Sequence, residues 1–121
     1  MKQLIFSGTV FKGQQRGKAL GFPTANIKLP EDIDDGIYIS AASLDDKVHP
    51  SLTFIGNAKT FKETDKKAEI YFLSLNEDIY GKKISVKLLK KIRENMEFKS
   101  ADELIAQMEK DKIEAEKYFS R

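Results

Sequence analysis

The stretch GIYISAASLDDKVHPSLTFIG, residues 36–56, contains two apolar runs that are separated by a short acidic turn. The runs cover residues 36–44 and 48–56. Apolar runs of this length bounded by turn residues are typical of strands, and the DDK turn between them predicts a β-hairpin. Pro50 has no N–H to donate to a neighbouring strand, so we expect it at an edge or a bulge of the sheet.

Three further segments around this hairpin also predict strands. Residues 3–11 alternate, with Leu4, Phe6, Gly8 and Val10 on one face. Residues 68–75, AEIYFLSL, are apolar at nearly every position, which is typical of a strand covered on both faces. Residues 84–92 alternate again after a break at NEDIYGKK.

The last segment changes period and predicts a helix. Ser100 and Glu103 have the S-x-x-E spacing of a capping box, and the apolar residues that follow recur at helical spacing. We therefore expect one amphipathic helix over residues 100–119. Five or six short strands followed by one helix predict an all-β fold, a small antiparallel barrel with the helix packed on its side or end.

Composition excludes several kinds of chemistry. The 121 residues suffice for one core, and we expect residues 1–121 to form a single domain. Cysteine is absent and His49 is the single histidine, which argues against disulfides and against zinc sites built from His and Cys. The net charge of +2 is too small by itself to indicate a nucleic-acid partner.

The chain also lacks the sequence signals of export or membrane insertion. No apolar run approaches the ~18–20 residues that a membrane-spanning helix needs. The first ten residues contain no long apolar core and no evident cleavage site. We therefore expect a cytoplasmic location and no membrane partner.

Residues 12–23 are rich in glycine and basic side chains, at Gly13, Arg16, Gly17, Lys18 and Gly21. Glycines let a backbone approach an anion closely and aim its N–H groups at it, so one interpretation is a phosphate-binding loop. The other interpretation is a solvated surface loop. GTVFKGQQ is not a P-loop, because two glutamines stand where Lys and Ser or Thr are required.

The PTAN stretch that follows carries two neutral oxygen donors. In an extended segment, Thr24 and Asn26 point to the same side. A hydroxyl and a carboxamide oxygen are ligands that Mg²⁺ accepts, together with water and substrate phosphates. The alternative is a local turn in which these side chains only cap the loop.

Glu69 is a carboxylate within an apolar strand, on the predicted face of Tyr71, Leu73 and Leu75. A charge in such a place is costly unless something pairs with it. It is interpreted either as a positioned base or as a glutamate at the barrel rim that is bonded to a nearby lysine.

Two later residues also have two interpretations each. Tyr80, beside Gly81, is either a stacking platform for a planar ring or a plug at the barrel end. Arg93, at the end of the last strand, either pairs with the helix or reaches a ligand.

Several stretches together resemble the riboflavin kinase family over nearly the whole chain. SGTVFKGQQRGKALGFPTANIKL is similar to its first strand, glycine loop and PTAN motif, and the string LGFPTAN is highly specific. The stretch DDGIYIS and the run from AEIYFLSL to the C-terminal helix are similar in order and spacing. The resemblance implies a closed six-stranded antiparallel Greek-key barrel with one C-terminal helix.

The resemblance also implies a reaction, the transfer of the γ-phosphoryl group of ATP to the ribityl 5′-hydroxyl of riboflavin, giving FMN and ADP. By position, Glu69 corresponds to the catalytic glutamate, and Thr24 and Asn26 to the residues that hold phosphate and Mg²⁺ (or Mn²⁺ or Zn²⁺). The nucleotide would also meet Gly13, Gly17, Lys18, Gly21 and Tyr80. Arg93 would lie near the flavin.

The chain departs from the family pattern at three positions, which are Phe54, Lys59 and Asn95. These departures motivate an alternative, a non-catalytic barrel of the same fold that binds a flavin or a nucleotide. A nucleic-acid-binding barrel is a third alternative, but the strand aromatics lie in apolar runs rather than between basic residues. We expect a monomer without a nucleic-acid partner, either a stand-alone kinase or a module excised from a bifunctional FAD synthetase.

Overall fold

The sheet begins from the predicted hairpin. The structure, a computed structural model, describes residues 4–11, 24–29, 33–56, 67–75 and 79–120. The described residues form six strands and one helix: β1 (Leu4–Thr9), β2 (Ala25–Lys28), β3 (Gly36–Leu44), β4 (Lys47–Gly56), β5 (Lys67–Phe72), β6 (Lys83–Arg93) and α1 (Ala101–Phe119).

The strands form one antiparallel sheet in the order β1-β6-β3-β4-β5-β2. Its two edge strands, β1 and β2, come together where the chain leaves β1. There the Phe11 N–H donates to the Asn26 carbonyl oxygen at 2.9 Å, and this bridge nearly closes the sheet into a barrel. The prediction of a six-stranded antiparallel barrel with one C-terminal helix is confirmed.

The β3–β4 hairpin is tighter than predicted. Leu44 pairs with Lys47, so the turn contains only Asp45 and Asp46, and Lys47 belongs to β4. Both aspartates have positive φ, 50° and 66°, as in the two-residue turns whose twist matches that of a hairpin. Pro50 pairs with Ala41 of β3, and the pairing of β4 with β5 begins one residue later, at Ser51. On that second side the Pro50 carbonyl accepts from the Leu73 N–H at 3.0 Å, just after the end of β5.

The barrel interior is apolar and well buried. Its members come from all six strands and include Phe6, Val10, Ile27, Ile55, Ile70, Ile84 and Val86. Three hydroxyl-bearing residues, Ser40, Ser51 and Thr53, are fully buried, and their hydroxyls bond to one another. The interior is therefore filled by side chains.

The helix covers the outer face of the sheet, over a second apolar cluster. This outer cluster contains Ile37, Ile39, Leu52 and Tyr71 from the strands and Met108 and Ala115 from the helix. Ser100 caps the helix, since its Oγ accepts from the Glu103 N–H at 3.2 Å. The Glu103 carboxylate accepts from the Lys99 N–H at 3.0 Å, so the reciprocal bond of the capping box is displaced by one residue. Among the described residues, no helix combines the length and apolar character needed to cross a membrane.

Candidate active site

Asn26, Glu69 and Phe54 lie side by side on three neighbouring strands. Asn26 of β2 pairs with Glu69 of β5, and Glu69 pairs with Phe54 of β4. Directly opposed residues in an antiparallel pair place their side chains on the same face, with Cβ atoms roughly 4.5–5.5 Å apart. The register therefore places a carboxamide, a carboxylate and an aromatic ring in one row on the outer face.

The same row continues to the far side of the sheet. Phe54 pairs with Ile37 of β3, and Ile37 pairs with Arg93 of β6. At the other end, Phe11 bridges to Asn26. Three of the predicted site residues, Asn26, Glu69 and Arg93, thus occupy one line of paired positions, which we call the site row.

Asn26 is almost completely buried, although it lies on the outer face. Its residue is 3% exposed, and its neighbours Ala25 and Ile27 point into the barrel. The Asn26 Oδ1 accepts no hydrogen bond from any residue that the structure describes. A buried oxygen without a partner is costly, so this atom is suited to a cation or to a donor that arrives with a ligand.

Glu69 is more accessible than its buried neighbour, with 39% of its side chain exposed. Its Oε1 lies 3.8 Å from the Nζ of Lys67, two residues earlier on the same face. Tyr71 and Leu73 share the outer face as predicted, but Leu75 packs against the interior cluster instead, because β5 ends at Phe72. The carboxylate can therefore meet a ligand from solvent.

Thr24 immediately precedes β2 and is half-buried. The loop residues Gly13, Gly17, Lys18 and Gly21 lie outside the described residues, and so does Lys59. Their predicted roles remain predictions. β2 itself has only four residues, too few for its period to stand out in the sequence.

Tyr80 lies in a turn that is attached to the end of β1. The Lys82 N–H donates to the Ile79 carbonyl at 3.0 Å, and the Gly81 N–H donates to the Val10 carbonyl at 2.9 Å. Gly81 has φ 85°, which suits the third position of a type II turn. Tyr80 is 60% exposed while Ile79 enters the interior, so the interpretation of Tyr80 as a plug at the barrel end is wrong.

Arg93 is held by the helix. Its Nε donates to Asp111 Oδ1 at 2.9 Å and its Nη2 to Asp111 Oδ2 at 2.6 Å. Its Nη1 donates to the Glu94 carbonyl at 3.1 Å. The interpretation in which Arg93 pairs with the helix is confirmed, and its proximity to a flavin stays a prediction.

The departures from the family pattern that the structure describes have defined positions. Phe54 lies in the site row beside Glu69 and packs against the outer cluster. Asn95 donates through Nδ2 to the Ile55 carbonyl at 3.0 Å, which attaches the segment after β6 to the end of β4. A Cβ at Gly56 would lie 2.9 Å from that Nδ2, so glycine makes room for the attachment.

Two helix residues that support the site row were not predicted from the sequence. Asp111 is buried and accepts from Arg93, and Gln107 donates to the same Oδ1 at 3.1 Å. The signal was the spacing of Leu104, Met108, Asp111 and Ala115, which lie on one helical face. A carboxylate on an apolar helical stripe requires a partner, and Arg93 provides it.

Comparison with known proteins identifies the family. A sequence model described as "Riboflavin kinase", of the Flavokinase family, matches residues 1–119. The bifunctional riboflavin kinase/FMN adenylyltransferase of Escherichia coli K12 is 36% identical over 116 residues, which cover 93% of this chain and 37% of that protein. The RNA-binding riboflavin kinase RibR of Bacillus subtilis 168 is 38% identical over 109 residues, which cover 88% of this chain and 47% of that protein.

A solved structure supports the same architecture. The riboflavin kinase from Trypanosoma brucei aligns with a TM-score of 0.70 over 100% of this chain and 82% of its own, at 23% identity, and so shares the fold. The chain spans less than half the length of either bacterial relative. The match of the family model over residues 1–119 shows that this chain belongs to the riboflavin kinase family.

Proposed function

We propose that the chain transfers the γ-phosphoryl group of ATP to the ribityl 5′-hydroxyl of riboflavin, producing FMN and ADP. The observation that carries the proposal is the pairing of Asn26 with Glu69 in a member of this family. The pairing sets a buried oxygen, to which no described residue donates, next to an accessible carboxylate. These are the two kinds of group that a metal-assisted phosphoryl transfer to a hydroxyl requires.

Glu69 acts as the base in this proposal. The riboflavin hydroxyl oxygen forms a bond to the γ-phosphorus, the bond from that phosphorus to the bridging oxygen breaks, and the hydroxyl proton passes to the Glu69 carboxylate. The exposed part of the side chain gives the hydroxyl access to it. A base in this position contributes about 10²–10⁴-fold to the rate.

Asn26 and Thr24 would hold the cation that accompanies the nucleotide. The Asn26 Oδ1 fits this role because it is buried and no described residue donates to it. A divalent cation in such a site neutralises phosphate charge and orients the transferred group. Mg²⁺ is the first choice, and Mn²⁺ and Zn²⁺ are the alternatives.

The remaining predicted residues complete the proposal. Gly13, Gly17, Lys18 and Gly21 would contact the phosphates, and Tyr80, which is exposed beside the end of β1, would meet the nucleotide. Because the donor is ATP, we propose that the chain works in the cytoplasm, and the monomeric state stays a prediction. The absence of a nucleic-acid partner stays a prediction.

The second candidate function is a barrel that binds a flavin without phosphorylating it. The observation in its favour is Phe54, because a departure from the family pattern lies directly beside the proposed base. This candidate predicts tight riboflavin binding without FMN formation.

Chromatographic measurement of FMN formation from riboflavin, ATP and Mg²⁺ tests the proposal. We expect Glu69→Gln to lower kcat by about 10²–10⁴-fold with an unchanged circular dichroism spectrum. The matched control is Glu114→Gln, the same change at an exposed helix position, which we expect to leave kcat unaltered.

Lys67→Met separates the two interpretations of Glu69. If the carboxylate only forms an ion pair with Lys67, Lys67→Met and Glu69→Gln will lower kcat by similar factors. If Glu69 is the base, Lys67→Met will retain most of the activity. A wild-type protein that binds riboflavin but forms no FMN would instead favour the second candidate.

A further inference from the structure

The site row gives Glu69 two unlike neighbours. On one side lies Asn26, which is polar and 3% exposed, and on the other side lies Phe54, which is aromatic and half-buried. Beyond Phe54 the row continues to the buried, apolar Ile37. Between Asn26 and Ile37, the row therefore changes from polar to apolar at Glu69.

We propose that Phe54 forms the acceptor-side wall of the site, a surface that contacts the ring system of riboflavin and favours acceptors with a planar apolar ring. This inference rests on the proposed function. Attacking and leaving oxygens lie roughly in line through a transferred phosphoryl group, so donor and acceptor approach from opposite directions. With the phosphates and cation on the side of Asn26, the body of the acceptor lies on the side of Phe54.

The packing of Phe54 fits this role. The side chain packs against the outer cluster beneath α1, which fixes its position, and the residue as a whole is only half-buried. A held aromatic ring with an accessible surface can stack against a planar ligand without a large loss of conformational freedom. The flavin ring system is planar and aromatic, whereas a phosphate or a sugar hydroxyl gains nothing from such a surface.

The test compares variants that keep or remove the ring. Phe54→Leu retains an apolar side chain but removes the aromatic ring, and we expect it to raise the KM for riboflavin about 3–10-fold while the KM for ATP stays unchanged. Phe54→Tyr keeps the ring and should retain the wild-type KM for riboflavin. Phe119→Leu makes the same substitution in the same outer cluster, away from the site row, and controls for loss of packing.

A second measurement does not depend on catalysis. Lumiflavin carries the flavin ring without the ribityl chain, and its binding can be followed by quenching of its fluorescence. We expect Phe54→Leu to weaken lumiflavin binding by a similar factor, and Phe119→Leu to leave it unchanged.

The outcomes separate this inference from the proposed function. If the wild-type protein forms FMN and Phe54→Leu leaves riboflavin and lumiflavin binding unchanged, the inference fails while the proposed function stands. If Phe54→Leu and Phe119→Leu both raise the KM values for riboflavin and ATP equally, Phe54 serves only in packing, and this outcome would also overturn the inference. If the wild-type protein forms no FMN, the proposed function fails, and lumiflavin binding alone then decides the inference. Failure of the wild-type protein to bind lumiflavin would overturn the inference.

Discussion

Arg93 and Asp111 join the last strand to the helix through two parallel hydrogen bonds, from Nε to Oδ1 at 2.9 Å and from Nη2 to Oδ2 at 2.6 Å. The side chains are only 15% and 3% exposed. Gln107 donates a third hydrogen bond to this carboxylate, at Oδ1, over 3.1 Å. Because Arg93 ends the site row, this ion pair fixes the helix relative to the strands that carry Asn26 and Glu69.

We expect Asp111→Ala to destabilise the protein strongly. The variant leaves the Arg93 guanidinium largely buried without its carboxylate partner. Removing one partner of a buried ion pair costs about 3–5 kcal/mol of the free energy of unfolding. Urea denaturation followed by circular dichroism measures the loss.

The control for this prediction is an exposed ion pair. Lys82 Nζ lies 3.1 Å from Asp45 Oδ2, with 46% and 71% of the two side chains exposed. Lys82→Ala should change the free energy of unfolding by less than about 1 kcal/mol. Similar losses for Asp111→Ala and Lys82→Ala would show that burial of the Arg93–Asp111 pair does not matter.

The sequence predicted the elements better than the relationships between them. β3 begins and ends at the predicted residues, and α1 begins one residue after its predicted cap, because apolar periodicity and the S-x-x-E spacing are local signals. The pairing of Asn26 with Glu69 is not local. It depends on the register between β2 and β5, which is fixed only when the whole barrel closes.

In the site, too, the sequence predicted residue types but not their tertiary contacts. The oxygen donors and the carboxylate were identified as residue types, but the burial of Asn26 and the identity of Asp111 as the helix partner of Arg93 were not, since both depend on tertiary packing. Phe54 was noticed only as a departure from a pattern, and its place beside Glu69 follows from the pairing of β4 with β5. The loop residues predicted to meet phosphates lie outside the described residues.

Two glycines with positive φ should respond differently to alanine. At Gly81, φ is 85° and a Cβ would meet no described atom within 4 Å, so Gly81→Ala should cost about 1–2 kcal/mol of backbone strain. At Gly36, φ is 150° and a Cβ would lie 3.0 Å from the Arg93 carbonyl oxygen. Gly36→Ala should therefore cost about 3 kcal/mol, since this contact adds to the strain. Thermal unfolding of both variants checks the order, and an equal or larger loss for Gly81→Ala would contradict it.

Tyr38 should make stability depend on alkaline pH. Burial raises the pKa of Tyr38 above its usual range, although the nearby Lys91 charge opposes this. The unfolded phenol ionises near pH 10, while the folded one keeps its proton to higher pH. Its contribution to stability is thus complete below about pH 10 and is lost as the pH rises through the folded pKa.

Tyr38→Phe isolates this contribution. The Tyr38 hydroxyl donates to the Asp34 carbonyl at 2.7 Å, so the variant should be about 1 kcal/mol less stable at pH 7. The difference in stability between wild type and variant should shrink as the pH rises above about 10, because phenylalanine cannot ionise. Denaturant unfolding at several pH values measures it, and a difference that stays constant would exclude titration of Tyr38 as a cause.

The buried hydroxyls of Ser40, Ser51 and Thr53 should show strongly non-additive effects. The Ser40 Oγ lies 2.7 Å from the Ser51 Oγ and 2.8 Å from the Thr53 Oγ1, inside an apolar barrel. Ser40→Ala removes both bonds and leaves two buried hydroxyls without this partner, so it should cost about 2–3 kcal/mol. Ser51→Ala and Thr53→Val each remove one bond and should cost about 1 kcal/mol.

The triple variant Ser40→Ala/Ser51→Ala/Thr53→Val gives the decisive comparison. It replaces every member of the group by an apolar side chain and leaves none of these three hydroxyls to be satisfied. We therefore expect it to lie within about 1 kcal/mol of wild type, more stable than Ser40→Ala alone. Denaturant unfolding of all four variants measures the coupling. If the triple variant loses as much free energy of unfolding as the three single variants together, each hydroxyl contributes independently. Only hydroxyls that depend on one another for hydrogen bonds make the replacement of all three less destabilising than the removal of one.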